Sequence, residues 1–122
     1  GILSGLFLLD MMVKTGKRPS ELVDLLFSKV GPHHFQRTDV AFAAEDRPRI
    51  EGRVASRRPK TLSGKRVVSC DEVDGLRFAL EGGAWALIRF SGTEPLLRIY
   101  AEAESPQLVA RLLEEARALA GV

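Results

Sequence analysis

The sequence predicts an α+β domain, an antiparallel sheet with helices on one face, preceded by a short αα-hairpin. Three observations carry this. Residues 84–90 and 97–103 both alternate with period 2, and they flank a connection that holds Gly92 and Pro95. Leu76, Phe78 and Leu80 alternate in the same way between the turn signals Asp74-Gly75 and Gly82-Gly83. Apolar residues recur at helical spacing near both ends of the chain. The order strand, helix, several antiparallel strands, helix is that of an α+β layer.

Taken in order, residues 1–14 read as a helix that is apolar on most sides and is stopped by Thr15-Gly16. Pro19 and Glu21 suit the first turn of a second helix, with Leu22, Val23, Leu25, Leu26 and Phe27 as its buried stripe and Gly31-Pro32 as its end. These two helices carry more apolar surface than they can cover on each other. An exposed patch of that size favours association. The chain also opens directly on this apolar segment, as a piece of something longer would. Residues 1–31 are therefore expected to be a helical tail, 32–38 a linker, and 39–122 the main domain.

A strand is expected over residues 35–43, with Thr38, Val40 and Phe42 on one face. Asp46-Arg47-Pro48 starts a helix with Ile50 and Val54 spaced by four, although Gly52 in its middle costs about 1 kcal/mol. Pro59 ends it. Residues 65–70 form a strand after the Ser63-Gly64 turn, and Asp74-Gly75 reads as a two-residue hairpin. Ser105 caps a last helix with Pro106 in its first turn. Its apolar face is Leu108, Val109, Leu112, Ala116 and Leu119, and Gly121 ends it.

Composition sets outer limits. The chain has 122 residues, 45% hydrophobic and 28% charged, enough for one domain with a core. A net charge of +2 does not by itself demand a polyanionic partner. The single cysteine, Cys70, excludes an internal disulfide, agrees with a reducing compartment, and is expected to be a small packing residue. The apolar stretch 2–13 is too short to span a bilayer.

The connection between the two best strands has the chemistry an oxyanion needs. Ser91 and Thr93 offer hydroxyls. Gly92 lets backbone N–H groups approach a ligand and can take φ > 0. Arg89 and Arg98 stand at the two mouths of the hairpin, where they can fork around a phosphate.

The run RFSGTEPLLRIYAEA, from Arg89 to Ala103, resembles the C-terminal phosphate-binding loop of the α-D-phosphohexomutases, the phosphoglucomutases, phosphomannomutases and phosphoglucosamine mutases. The family pattern is Arg-x-Ser-Gly/Asn-Thr, often followed by Glu-Pro, two residues and Arg, and every position is filled. Asp74-Gly75-Leu76-Arg77 and Gly83-Ala84-Trp85 resemble the family's approach to that loop. The resemblance runs the length of the chain but covers only the last quarter or so of such an enzyme.

It implies a fold with the broad shape of TATA-binding-protein repeats, with residues 1–31 as the tail of a preceding third domain. It implies that Arg89, Ser91, Gly92 and Thr93, with help from Arg98, hold the non-reacting phosphate of a hexose phosphate or hexose 1,6-bisphosphate. The parent would be a cytoplasmic isomerase of carbohydrate metabolism that moves a phosphoryl group between the 1- and 6-positions. Its Mg²⁺ and phosphoserine would lie outside this chain, with no catalytic or metal-binding residue inside it. The piece alone would be inactive, and its partners would be the phosphosugar and the upstream domains, not nucleic acid or a membrane. Glucose, mannose and glucosamine stay equally open.

A rival reading rests on residues 47–66. Eight basic residues there, Arg47, Arg49, Arg53, Arg57, Arg58, Lys60, Lys65 and Arg66, face only Glu51. A stand-alone nucleic-acid-binding module would use them on phosphates. The stretch has no aromatic residue on which a base could stack, so a solvated face is the plainer expectation. His33-His34 lacks the further ligands of a zinc set and reads as linker.

Overall fold

A computed structural model describes all residues, Gly1–Val122. The chain divides into two compact units, Gly1–Pro32 and His33–Val122.

The first unit is helical: α1 is Ile2–Thr15 and α2 is Pro19–Val30. Gly16, at φ 66°, ends α1 in the left-handed conformation and returns its N–H to the Met12 carbonyl. Glu21 reaches back to accept from the Arg18 N–H at 2.8 Å, which satisfies one orphan donor at the start of α2. The unit buries Leu22 and leaves Ile2, Leu3, Phe7 and Val13 each at least 65% exposed. The excess of apolar surface read from the sequence is thus present.

The second unit is a six-stranded sheet in the order β1-β6-β5-β4-β3-β2, every neighbouring pair antiparallel. The strands are β1 His34–Ala41, β2 Thr61–Leu62, β3 Lys65–Asp71, β4 Leu76–Leu80, β5 Trp85–Phe90 and β6 Leu96–Ala103. A 3-10 turn, Ala44–Asp46, leads into α3, Arg47–Ser56, and the unit closes with α4, Pro106–Ala120. The α+β expectation holds.

The core forms where one parity of the strands meets the helices. Phe78, Ile88, Leu97 and Ile99 from the sheet meet Ile50 and Val54 of α3 and Val109 and Leu112 of α4, all 5% exposed or less. Full burial of each such side chain contributes about 1.5–3 kcal/mol. The Ser105 hydroxyl accepts from the Leu108 N–H and caps α4. At the other end of α4, Arg53 donates to the Leu119 and Ala118 carbonyls at 3.2 and 3.4 Å, a cation at a helix C-terminus.

Several local expectations change. Residues 35–38, expected both within a linker and within a strand over 35–43, belong to β1 together with His34, because β6 pairs with them. Asp74-Gly75 is not a two-residue hairpin, since β3 ends at Asp71 and β4 begins at Leu76. The two-residue hairpin is instead Ser63-Gly64, at φ 49° and 80°, between paired Leu62 and Lys65. Cys70 lies exposed on β3 instead of packing, yet local desolvation still pushes its thiol up from the ordinary value. No helix is long and apolar enough to cross a membrane.

Candidate anion-binding site

Alternation along β5 and β6 puts every second residue on the sheet face that the core helices leave open. Trp85, Leu87 and Arg89 on β5 stand opposite Glu102, Tyr100 and Arg98 on β6. Phe35 of β1 joins this face, with its ring centroid 6.1 Å from Trp85 and 6.3 Å from Tyr100. Arg77 of β4 lies 5.5 Å from the Trp85 ring centroid.

The register makes Arg89 and Arg98 direct cross-strand partners. Like charges opposite each other destabilise a strand pair, so this arrangement is a local cost to the fold. It is only partly relieved within the chain. Arg89 Nη1 lies 3.0 Å from Asp74 Oδ2, an ion pair open to solvent on both sides. The Arg98 Nε is buried and has no hydrogen-bond partner. On the other side of Arg98 stands Asp39, whose carboxylate pairs with Arg37 at 3.0 Å.

The connection itself runs over residues 91–95. The Ser91 N–H donates to the Leu96 carbonyl at 2.9 Å, and the Leu96 N–H donates to that of Glu94 at 2.8 Å. From outside the hairpin, the Phe42 N–H donates to the Pro95 carbonyl at 3.2 Å. Ser91 is the one buried polar residue of the chain, at 4% exposure. Gly92 and Thr93 are exposed. Gly92 does not use the left-handed freedom expected of it, since its φ is not positive. A Cβ built there meets nothing within 4 Å. Neither the backbone nor the packing of this chain asks for glycine at 92, so the space it leaves is available to whatever approaches the loop.

Gly75 is the opposite case. Its φ is +106°, and a Cβ there would sit 2.5 Å from the Ile88 carbonyl oxygen and 3.2 Å from the Arg89 Cβ. Only glycine lets the Asp74-Gly75 segment lie against β5, and that contact delivers the Asp74 carboxylate to Arg89. The structure thus gathers Arg89, Ser91, Gly92, Thr93 and Arg98 at one end of one hairpin.

Two neighbours were not singled out for this site from the sequence. Asp74 was read as a turn residue and as part of the approach to the loop, and its closeness to Arg89 depends on the packing of Gly75. Arg47 was counted as one charge in a basic stretch. Its Nη1 donates to the Ser91 carbonyl at 3.0 Å from 44 residues away. No local spacing rule could have connected them.

Apart from Arg57 and Lys60, which are exposed, the rest of the basic stretch pairs with acids or caps a helix. Arg49 meets Asp46, Arg58 meets Glu72, Lys65 meets Glu104 and Arg66 meets Glu81. Arg53 caps α4. The cations are thus largely neutralised by the chain's own acids and carbonyls, which gives a polyanion-binding reading no support. The acidic run Asp71-Glu72-Val73-Asp74 is likewise committed to arginines, Arg77, Arg58 and Arg89 in turn, and does not fit a divalent metal site.

Comparison with known proteins finds one family and a set of relatives. The family described as "Phosphoglucomutase/phosphomannomutase, C-terminal domain" matches residues 38–119. A phosphoglucomutase/phosphomannomutase of Thermococcus kodakarensis is 34% identical over 88% of this chain and 21% of its own length. A probable phosphoglucosamine mutase of Methanopyrus kandleri is 32% identical over 94% of this chain and 23% of its own. A phosphoglucosamine mutase of Methanococcus aeolicus is 34% identical over 94% and 24%. The chain spans less than a quarter of the length of these relatives.

Proposed function

Since the chain belongs to the C-terminal domain family of the phosphoglucomutases and phosphomannomutases, we propose that it is the part of such an enzyme that anchors the substrate's non-reacting phosphate. The observation that carries this is the Arg89–Arg98 pair. Two arginines stand directly opposite each other in the register of adjacent strands, beside a loop with an open glycine position, and Arg98 keeps a buried, unpartnered Nε. A phosphate between them would turn a repulsive contact into two charge-assisted hydrogen bonds, each worth about 1.5–3 kcal/mol. Ser91, Gly92 and Thr93 would complete the grip with hydroxyl and amide donors.

In the parent enzyme, anchoring a remote phosphate holds the sugar for in-line transfer, and its binding energy can be used in the transition state. A pocket that reads only the phosphate would accept either end of a hexose 1,6-bisphosphate. The molecule could then turn over between half-reactions that exchange the 1- and 6-positions. Closure of this domain over the reacting end would exclude water. The phosphoserine and the Mg²⁺ of such a reaction would be supplied by residues outside this chain, so the chain alone would bind without turnover. A reducing, cytoplasmic setting suits a free exposed thiol. The relatives' names span glucose, mannose and glucosamine substrates, and the anchored group is common to all three.

The test is an amide-resolved NMR titration of the ¹⁵N-labelled chain with glucose 1-phosphate. Saturable shifts centred on residues 89–93, lost in Arg89→Ala, are expected. Shifts confined to residues 47–66, or none at 89–93 at any concentration, would remove the anchor from this loop.

A further inference from the structure

We propose that Arg47 is a positioning residue for the anion-binding loop, and that it acts by fixing the peptide plane between Ser91 and Gly92. The inference rests on the phosphate-anchor reading for its purpose, but its geometry is independent of any ligand.

Arg47 is the first residue of α3 and belongs to the other end of the unit's sequence. Its guanidinium is held in three ways. Nε pairs with Glu51 Oε1 at 2.7 Å, one helical turn on. The group lies 5.4 Å from the Phe90 ring centroid. Nη1 then projects to the Ser91 carbonyl at 3.0 Å in a partly buried contact. A planar fork uses different edges and its face for these three tasks, and a lysine ammonium has no equivalent geometry.

The consequence lies in the peptide bond. Every peptide here is free of cis geometry, so the Ser91 carbonyl and the Gly92 N–H point in opposite directions across one plane. Drawing the carbonyl toward Arg47 turns the Gly92 N–H away from α3. The peptide before it is already fixed, because the Ser91 N–H is bonded to the Leu96 carbonyl at 2.9 Å. Glycine at 92 leaves room for a ligand, but it also permits the 91–92 plane to rotate more easily than any other residue would. Arg47 removes that freedom without placing a side chain in the open space. The loop thus combines an unobstructed approach with an amide donor of set direction, which is the preorganisation that favours oxyanion binding.

The experiment uses the ¹⁵N-labelled chain as wild type, Arg47→Ala, Arg47→Lys and Glu51→Gln, first without ligand and then with inorganic phosphate. Without ligand, Arg47→Ala and Arg47→Lys are expected to shift the Gly92 amide resonance and to give it microsecond–millisecond exchange broadening, while the α4 and β4 resonances stay in place. Glu51→Gln, which keeps an acceptor for Nε but removes its charge, is expected to do the same more weakly. With phosphate, both Arg47 variants should bind about tenfold more weakly, the loss of one well-aligned charged hydrogen bond. A Gly92 amide that is as sharp and unshifted in Arg47→Ala as in wild type overturns the proposal. So does an Arg47→Lys variant that binds as wild type, because charge alone would then account for the effect. If wild type shows the predicted Gly92 dependence on Arg47 but no phosphate response at residues 89–93, the anchor reading fails and the positioning of this peptide stands.

Discussion

The two faces of the β5–β6 hairpin are made by the same residues in alternation and obey different rules. On the inner face, Ala86, Ile88, Leu97, Ile99 and Ala101 are essentially solvent-free and pack against the helices. On the outer face, Arg89 and Arg98 oppose each other, and Asp74 pairs with Arg89 alone. The inner face is consistent at every level: pattern, burial and packing agree. The outer face breaks a pairing rule, and it does so beside the loop. Conflicts of this kind are where function is expected to reside. Odd and even positions of one strand therefore separate the core from the proposed anion site.

Mutations can test how clean that separation is. The largest effect should come from the inner face. Ile99→Ala removes a fully buried side chain and is expected to lower the unfolding free energy by about 2–5 kcal/mol in urea titration. Phosphate affinity, measured where the variant remains folded, should change little. Next comes Arg89→Ala, where the order reverses. Affinity for glucose 1-phosphate should fall at least about tenfold by NMR titration, since a charged hydrogen bond contributes about 1.5–3 kcal/mol. Stability should stay within about 0.5 kcal/mol, because the lost pair with Asp74 is exposed and the repulsion from Arg98 is relieved. A loss of stability like that of Ile99→Ala would show that the two faces are not separable. The smallest effect belongs to Asp74→Asn. The carboxylate competes with any incoming anion for Arg89, so its removal should strengthen phosphate binding about two- to threefold, in proportion to an exposed ion pair. Weakened binding would mean instead that Asp74 aims the Arg89 side chain.

The same contrast explains what the sequence could and could not disclose. The inner face was legible because burial writes period 2 into residues 84–103, and helical spacing did the same for α4. Ser105 was legible because a cap is a local bond. The candidate loop was found through its Arg, Ser, Gly and Thr side chains and through its resemblance to a known pattern. What the sequence concealed was contact between distant residues. Residues 35–38 read both as linker and as strand, and the pairing with β6 decides for the strand. Asp74-Gly75 looked like a hairpin turn, whereas its glycine is required by the backbone of β5 at Ile88. Arg47 looked like one charge among eight. Gly92 was expected to offer both close approach and positive φ; its φ is not positive, and the space beside it is open.

The strand order also bears on how the unit comes to be folded. β6 lies between β5, to which it is joined by five residues, and β1, which begins the unit. β1 is an edge strand with no other neighbour, and His34 pairs with Ala103. During synthesis from the N-terminus, β1 emerges first and finds its only partner after nearly all the rest has followed. The arginine-bearing hairpin, closed by a short loop, can form as soon as it is made, whereas β1 must wait for a large loop to close. In native-state hydrogen exchange the β1 amides that donate to β6 should accordingly open at lower free energy than those between β5 and β6. Equal protection in both ladders would show that the sheet closes as one cooperative unit. The first strand made is expected to be the last one held, so the hairpin that carries the proposed anion site is assembled before the edge of its own sheet is sealed.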